Sequence, residues 1–449
     1  MKTAGNKGSC EILGHPKGLA FIVFTEAWER FSFYGMQALL VLYMVNYILL
    51  PENSVHVLGF DLVVSGVESV FGALSITALA TQLFGLYIGL IYLMPVFGGL
   101  IGDRFIGRTK AVLSGAILMS LGHFMMAFES LFFLALALLI IGCGLLKGNL
   151  AAQVGSLYEQ GDQRRDAAFS LYSVAINIGG FVAPLVCGTL GELYGWHYGF
   201  NCAGVGMLFG MLIYMRGQKF LPKENEDVSR QQQKGVQEGD GKVIISTVCV
   251  ILITALYWTV QSQVWNTYPI WVRDNVDRSF FSFTIPITWF QSLDMFAVLI
   301  LAPVIIMLWK KQNRRQSEPN GLIKITIGCA VFAMANIWLS LGGWVSDGEK
   351  IALIWPVVFH FICALGYLYV GPVALALVSQ SAPPYINATM MGSYYLAIFV
   401  GGIFSGYLGR FYELLSPSEF WMLHGAIVGC ASFIILVSYK PLASNLIAK

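Results

Sequence analysis

Twelve long apolar stretches limit what this chain can become. They run over about residues 19–48, 75–101, 109–127, 130–155, 166–193, 196–217, 242–267, 284–309, 321–343, 350–379, 386–412 and 418–439. Each meets or approaches the roughly 20 residues that a helix needs to cross a bilayer core. In lipid, every backbone N–H and C=O must be satisfied within the protein, so such runs become helices. Only 12% of the 449 residues are charged, about half the share of a soluble domain. The expected fold class is therefore an all-α polytopic membrane protein with 12 transmembrane helices. Several stretches reach 25 residues or more, which implies tilt or protrusion into water.

Charge placement sets the orientation. If the N-terminus lies inside, 21 of the 27 lysines and arginines fall on the cytoplasmic side and four on the outer side. Arg30 and Lys147 lie within spans. So strong a bias under an even number of spans places both termini in the cytoplasm. The polar start, Met1 to Gly18, is not followed by a short apolar core with a small-residue cleavage site, so no removable signal peptide is expected. Eight cysteines lie mostly inside apolar runs without a CxxC spacing. They read as small packing residues, and neither a disulfide framework nor a metal site is expected.

One composition shift interrupts the pattern. Leu221 to Gly241, with QQQKG and EGDG, holds no apolar run and reads as a flexible cytoplasmic linker. It divides the chain into 1–220, an N-terminal six-helix bundle, and 242–449, a C-terminal one. Two six-helix halves with a substrate site between them at the midplane are the major facilitator plan.

Within the first span, Glu26, Glu29 and Arg30 stand at i, i+3 and i+4 and share one helix face. Charges at bilayer depth face a bundle interior or a wet cavity and pair with one another. Arg30 can hold either glutamate, which leaves one over. A surplus carboxylate suits a proton carrier: burial favours its neutral form, and a nearby arginine favours the charged one. The alternative is a salt bridge that only locks helices together. Lys147 is the one other cation inside a span, and with it the four groups sum to zero. A lysine can exchange a glutamate for a substrate carboxylate as protonation changes.

Between the second and third spans the chain reads Gly98-Gly99-Leu100-Ile101-Gly102-Asp103-Arg104-Phe105-Ile106-Gly107-Arg108. This is similar to the GxxxDRxGR loop of the major facilitator superfamily. Its glycines let two helices approach closely, while Asp103, Arg104 and Arg108 can pair across the cytoplasmic ends. Gly98, Gly102, Asp103, Arg104, Gly107 and Arg108 are thus the candidate cytoplasmic gate.

Glu26-x-x-Glu29-Arg30 with Phe31-Ser32-Phe33-Tyr34-Gly35-Met36 resembles the ExxERFSYYGM segment of proton-coupled oligopeptide transporters, the POT/PTR family. Further matches run along the chain. They include Tyr92-Leu93-Met94-Pro95, Gly142 to Asn149 around Lys147, Arg164 to Phe169 running on to Ile176-Asn177-Ile178, Trp289 to Asp294, and Leu365 to Pro372. The resemblance implies a proton symporter importing di- and tripeptides, with protons as the coupling ion and no cofactor. It implies coupling roles for Glu26, Glu29, Arg30 and Lys147, and engagement of the peptide carboxylate by Lys147. Tyr34, Tyr92 and Asn177 match side chains that line the peptide pocket.

The C-terminal half departs from that pattern. Gln37 stands where the family often has an arginine, and no acid occurs in Trp258 to Gln263, where it has a glutamate. Both partners of one gate pair are missing together, which avoids an unpaired buried charge. Tyr367 replaces the glutamate that grips the peptide amino terminus, and Tyr394 stands where a tryptophan is usual. Asp294, in an apolar run, is a gained carboxylate. Asp294, with Tyr367, is the candidate replacement anchor for the ammonium. His123 and His360 read as core histidines. Two other functions stay open: the same fold carrying a small substrate without a free amine, or a receptor or partner subunit that does not transport. No nucleophile–base pair, metal cluster or phosphate loop points to an enzyme. The expected partners are a short peptide or peptide-like molecule and the lipid bilayer, without nucleic acid. The expected state is a monomer in a bacterial inner membrane.

Overall fold

The computed structural model describes residues 11–159, 162–222, 240–383 and 386–446. The expected linker 221–241 lies, apart from its ends, outside the described residues. Helix α1 is Lys17–Tyr43, extended by a wider turn at Met44–Ile48. A short amphipathic helix α2, Phe60–Phe71, comes before α3, Ile76–Ile101. Then follow α4 Arg108–Met125, α5 Phe132–Ser156, α6 Arg164–Ala183 and α7 Trp196–Gly217. After the linker come α8 Asp240–Gln261, α9 Thr267–Asn275, α10 Ile287–Arg314, α11 Gly321–Val345, α12 Ile354–Ser381, α13 Asn387–Gly409, α14 Pro417–Val437 and α15 Tyr439–Leu446.

Among the described residues, eleven helices are long and apolar enough to cross a membrane. α4 is a further helix of 18 residues and occupies the place of the expected third span. It carries Arg108 and Lys110 in its first turn and turns Gly115, Gly122 and other small residues inward, so buried packing substitutes for apolar length. Three helices of eight or more residues add to the expected spans. α2 lies between the first two spans, with Leu62 and Val70 turned outward and a left-handed glycine at each end, Gly59 and Gly72. α9 carries the chain on beyond the seventh span, and α15 follows α14.

The chain forms two compact units. One comprises Met1–Met36 with Met94–Ser229, the other Gln37–Leu93 with Arg230–Lys449. In the first, α4 and α5 cross through Gly115 and Gly142. An N-terminal hairpin, β1 Glu11–Ile12 with β2 His15–Pro16, is tied to the start of α6. Arg164 donates to Glu11 and to the Gly14 carbonyl, both at 3.0 Å, and to Asp162 at 2.8 Å. The hydrogen bonds from the Arg164 side chain and backbone hold the partly exposed Asp162 carboxyl below the usual carboxylate range.

In the second unit, α11 packs between α12 and α14. Its core is aromatic: Tyr257, Tyr268, Trp271, Phe332, Phe359 and Trp421 are all fully buried. α3 crosses α13 backbone to backbone. A methyl group at Gly85 would run into the Gly402 carbonyl, and one at Gly402 would lie 2.9 Å from the Gly89 nitrogen.

Candidate functional site

The charged triplet of α1 is buried whole in the first unit. Glu26, Glu29 and Arg30 are no more than 2% exposed. Arg30 grips Glu29 with two N–H groups, Nε to Oε2 and Nη2 to Oε1, the latter at 2.6 Å. Its Nε is also 3.3 Å from Glu26 Oε1. A planar guanidinium fits this two-pronged grip, which a lysine cannot make. The rings of Phe33 and Tyr34 face the same guanidinium at 4.8 and 5.9 Å. Glycines make room for the cluster, since Gly179 of α6 sits against the Ala27 carbonyl and the Arg30 Cβ.

Glu26 is the surplus carboxylate of the sequence reading, and it has partners of its own. Tyr172 of α6 donates its hydroxyl to Glu26 Oε2 at 2.6 Å. Lys147 of α5 lies within electrostatic reach of Glu26. One turn before Lys147, the Cys143 thiol meets Arg30. The site therefore joins α1, α5 and α6 into one network: two carboxylates, two cations, a phenol and a thiol. Such a network can gain or lose one proton without leaving a charge unpartnered.

Tyr172 and Cys143 were not among the sequence candidates. Tyr172 lies five residues before Asn177 in a segment already singled out, and a polar tip in an apolar run was its only signal. Asn177 is half-buried and bonds back to the Ser173 carbonyl at 2.8 Å.

The candidate gate residues run from the end of α3 to the first residue of α4. Gly102–Ile106 forms a wide helical turn that contains Asp103 and Arg104, and Gly107 closes it with φ 82°. Asp103 pairs locally with Arg108 at 2.8 Å; Arg108 is partly exposed, and Asp103 and Arg104 are exposed. The close approach falls one turn earlier. Gly98 lies against the Gly144 carbonyl of α5, and Gly102 against the Asn149 amide. Asn149 Nδ2 donates to the Gly98 carbonyl at 2.9 Å. A methyl at Gly98 has no room, so Gly98→Ala is expected to cost about 1–3 kcal/mol. Melting of the purified protein in detergent checks this, and an unchanged midpoint would contradict the crossing.

The second unit holds the other candidates. Tyr92 stacks on Tyr395, with ring centroids 6.5 Å apart at 14°. Tyr394 is buried, accepts from Trp258 Nε1 at 3.3 Å and donates to the Gly371 carbonyl at 3.3 Å. Trp258 also meets Tyr367 edge-on at 6.4 Å. Tyr367 lies within electrostatic reach of Tyr92, Asp294 and Tyr395. Asp294 is 6% exposed, and Gln37 is 5% exposed with its side-chain oxygen unpartnered. His360 makes the core hydrogen bond that the sequence suggests, and it also faces a carboxylate. Its Nε2 is 2.9 Å from the Tyr268 hydroxyl, and its Nδ1 is 3.8 Å from Asp294 Oδ1. Among the described residues, no group of three or more His, Cys, Asp or Glu is placed to hold a metal ion.

The POT family model matches residues 109–236 and 225–422. The peptide transporter YePEPT of Yersinia enterocolitica subsp. palearctica is 28% identical, over 97% of this chain and 97% of its own. A di-/tripeptide transporter of Lactococcus lactis subsp. cremoris is 26% identical, over 97% and 98%. In structure, this chain is similar to the peptide transporter POT solved in complex with sulfate. That match has a TM-score of 0.85 and 26% identity, and covers 98% of this chain and 97% of the other. It is also similar to a POT family transporter solved with 5-aminolevulinic acid, at a TM-score of 0.83 and 25% identity, covering 97% and 98%.

Proposed function

This chain belongs to the POT family of multi-pass membrane transporters, not enzymes, and from that premise we propose that it imports di- and tripeptides with protons by alternating access. One observation carries the reading. A buried Glu26–Glu29–Arg30 network, extended by Tyr172 and Lys147, can change its proton count while staying partnered. The chain keeps the residues that such coupling needs, which a receptor without transport would not require. An inward proton gradient of about 100 mV supplies about 2.3 kcal/mol per proton, enough for roughly 50-fold accumulation.

In this reading the chain works as two six-helix halves, 1–220 and 242–449, joined by the linker 221–241. It acts as a monomer in a bacterial inner membrane, with both termini in the cytoplasm. Lys147 receives the peptide carboxylate. Tyr34, Gln37, Tyr92, Asn177, Tyr367 and Tyr394 line the pocket, and Asp294 takes the ammonium. The gate residues from Gly98 to Arg108 move with the cycle without touching substrate. A relative solved with 5-aminolevulinic acid, and another with alafosfalin, support small ligands of this kind.

The test is uptake of labelled dialanine into proteoliposomes held alkaline inside. Competition by unlabelled dialanine and by N-acetyl-dialanine then reads the amino-terminal contact. Asp294→Asn is expected to weaken competition by the free peptide about tenfold or more, the effect of losing a charge-assisted hydrogen bond. Competition by the acetylated peptide is expected to stay unchanged. Equal affinity of Asp294→Asn and the parent for dialanine would remove Asp294 as the anchor. Preference for the acetylated peptide would point to a cargo without a free amine, in keeping with Tyr367 in the glutamate's place.

A further inference from the structure

The second unit contains a titratable pair that the coupling site in the first unit does not use. His360 has no exposed surface, and Asp294 is 6% exposed. The imidazole is held at its far side, where Nε2 meets the Tyr268 hydroxyl at 2.9 Å. If Tyr268 donates, the ring proton sits on Nδ1, the atom that faces Asp294 Oδ1 at 3.8 Å. Nδ1 has no hydrogen-bond partner.

The surroundings are built from one helix face on each side. On α12, His360, Cys363 and Tyr367 recur at helical spacing, and on α10 Gln291 precedes Asp294 by one turn. Gln291 is fully buried with both amide atoms unpartnered. Tyr268, Phe359 and Trp421 form an aromatic wall behind the imidazole. The titratable groups facing the pair are Tyr257 from α8, Tyr268 from α9, and Cys363 and Tyr367 from α12. On α14, His424 spends its Nδ1 on the Phe420 carbonyl at 2.7 Å. Phenols and thiols are ordinarily neutral near pH 7. Among the described residues, no lysine or arginine forms an ion pair with Asp294.

A carboxylate in such a place needs a counter-charge. A proton shared with His360 supplies one, and a ligand ammonium supplies another. We propose that Asp294 and His360 form a second proton site of this transporter, loaded when no cationic ligand is present and emptied when a ligand ammonium docks on Asp294. The exchange makes and breaks only N–H or O–H bonds: the pair gives up one proton to water and takes one ammonium in its place. Its charge is then zero with the proton and minus one without it. As pH falls, the loaded form grows, and free-amine ligands lose affinity through this site by up to about tenfold per pH unit. The ammonium contact rests on the function proposed above; the existence of the proton site does not.

The test has two arms on the full-length protein in detergent. Binding of dialanine and of N-acetyl-dialanine is measured over about pH 5 to 8, with protons counted in weak buffer. The parent protein is expected to release about one more proton with dialanine than with the acetylated form, and His360→Gln is expected to lose that difference. Equal release by the parent and His360→Gln overturns the proposal. If neither peptide binds, the peptide reading has failed, and the second arm decides for the proton site alone. There, histidine NMR follows the His360 ring against pH in the parent, Asp294→Asn and the mild variant Tyr268→Phe. A His360 titration that moves in Asp294→Asn and Tyr268→Phe supports the site. A ring that does not titrate, or ignores both substitutions, overturns it.

Discussion

Glu29→Gln and Lys147→Ala will each lower pH-gradient-driven uptake of dialanine by about a hundredfold or more, the rate equivalent of roughly 3 kcal/mol. Glu29 is held by two N–H groups of Arg30, so its amide is nearly isosteric but removes one negative charge from the network. The net charge of Glu26, Glu29, Arg30 and Lys147 then becomes positive, and loading a further proton is opposed. Lys147→Ala fails in the other direction, because it removes a cation that balances the deprotonated state of Glu26. Counterflow separates coupling from binding. Exchange of peptide at equal pH needs no net proton movement, so Glu29→Gln is expected to retain it. Lys147→Ala is expected to lose it too, since the role proposed for Lys147 includes receiving the peptide carboxylate. Gradient-driven uptake that survived both changes would place coupling elsewhere.

Arg30→Leu is expected to be the most damaging single change to the fold. It strands two carboxylates that are no more than 1% exposed. Leaving the partners of a buried ion pair uncompensated costs about 3–5 kcal/mol, a large share of a typical folding free energy. The variant should accumulate poorly and melt early in detergent. Restoring neutrality is the control. The triple variant Glu26→Gln, Glu29→Gln, Arg30→Leu should recover most of the thermal stability while remaining uncoupled. A triple variant no more stable than Arg30→Leu would mean that packing, not charge, is what Arg30 supplies.

Much of this was legible without coordinates. Apolar length has a direct physical consequence in lipid, so the membrane class and helix positions follow from the chain. The joint burial of Glu26, Glu29 and Arg30 followed from their spacing on one helix turn. What the spacing could not say is which glutamate Arg30 takes, since both lie within its reach. Tyr172, 142 residues beyond Arg30 in the chain, settles that by holding Glu26. α4 was legible as a span but is less apolar than its neighbours, because burial among small residues replaces lipid contact. The core hydrogen bond of His360 was legible, but its partners were not, because Asp294 and Tyr268 lie 66 and 92 residues away in the chain, too far for any local pattern. α2, at 12 residues, falls below the length of a span, so apolar length alone does not reveal it.

The crossing of α3 and α13 has a mechanical meaning. Gly85, Gly89, Gly402 and Gly406 bring main chain against main chain, and only a few side chains, Gln82 and Phe399 among them, reach across. Parting such a seam frees no buried charge. Its cohesion is a sum of many small dispersion contacts, each about 0.1–0.2 kcal/mol. It would therefore unzip progressively from one end, like a strip of weak adhesive, whereas the network around Arg30 lets go as a single catch.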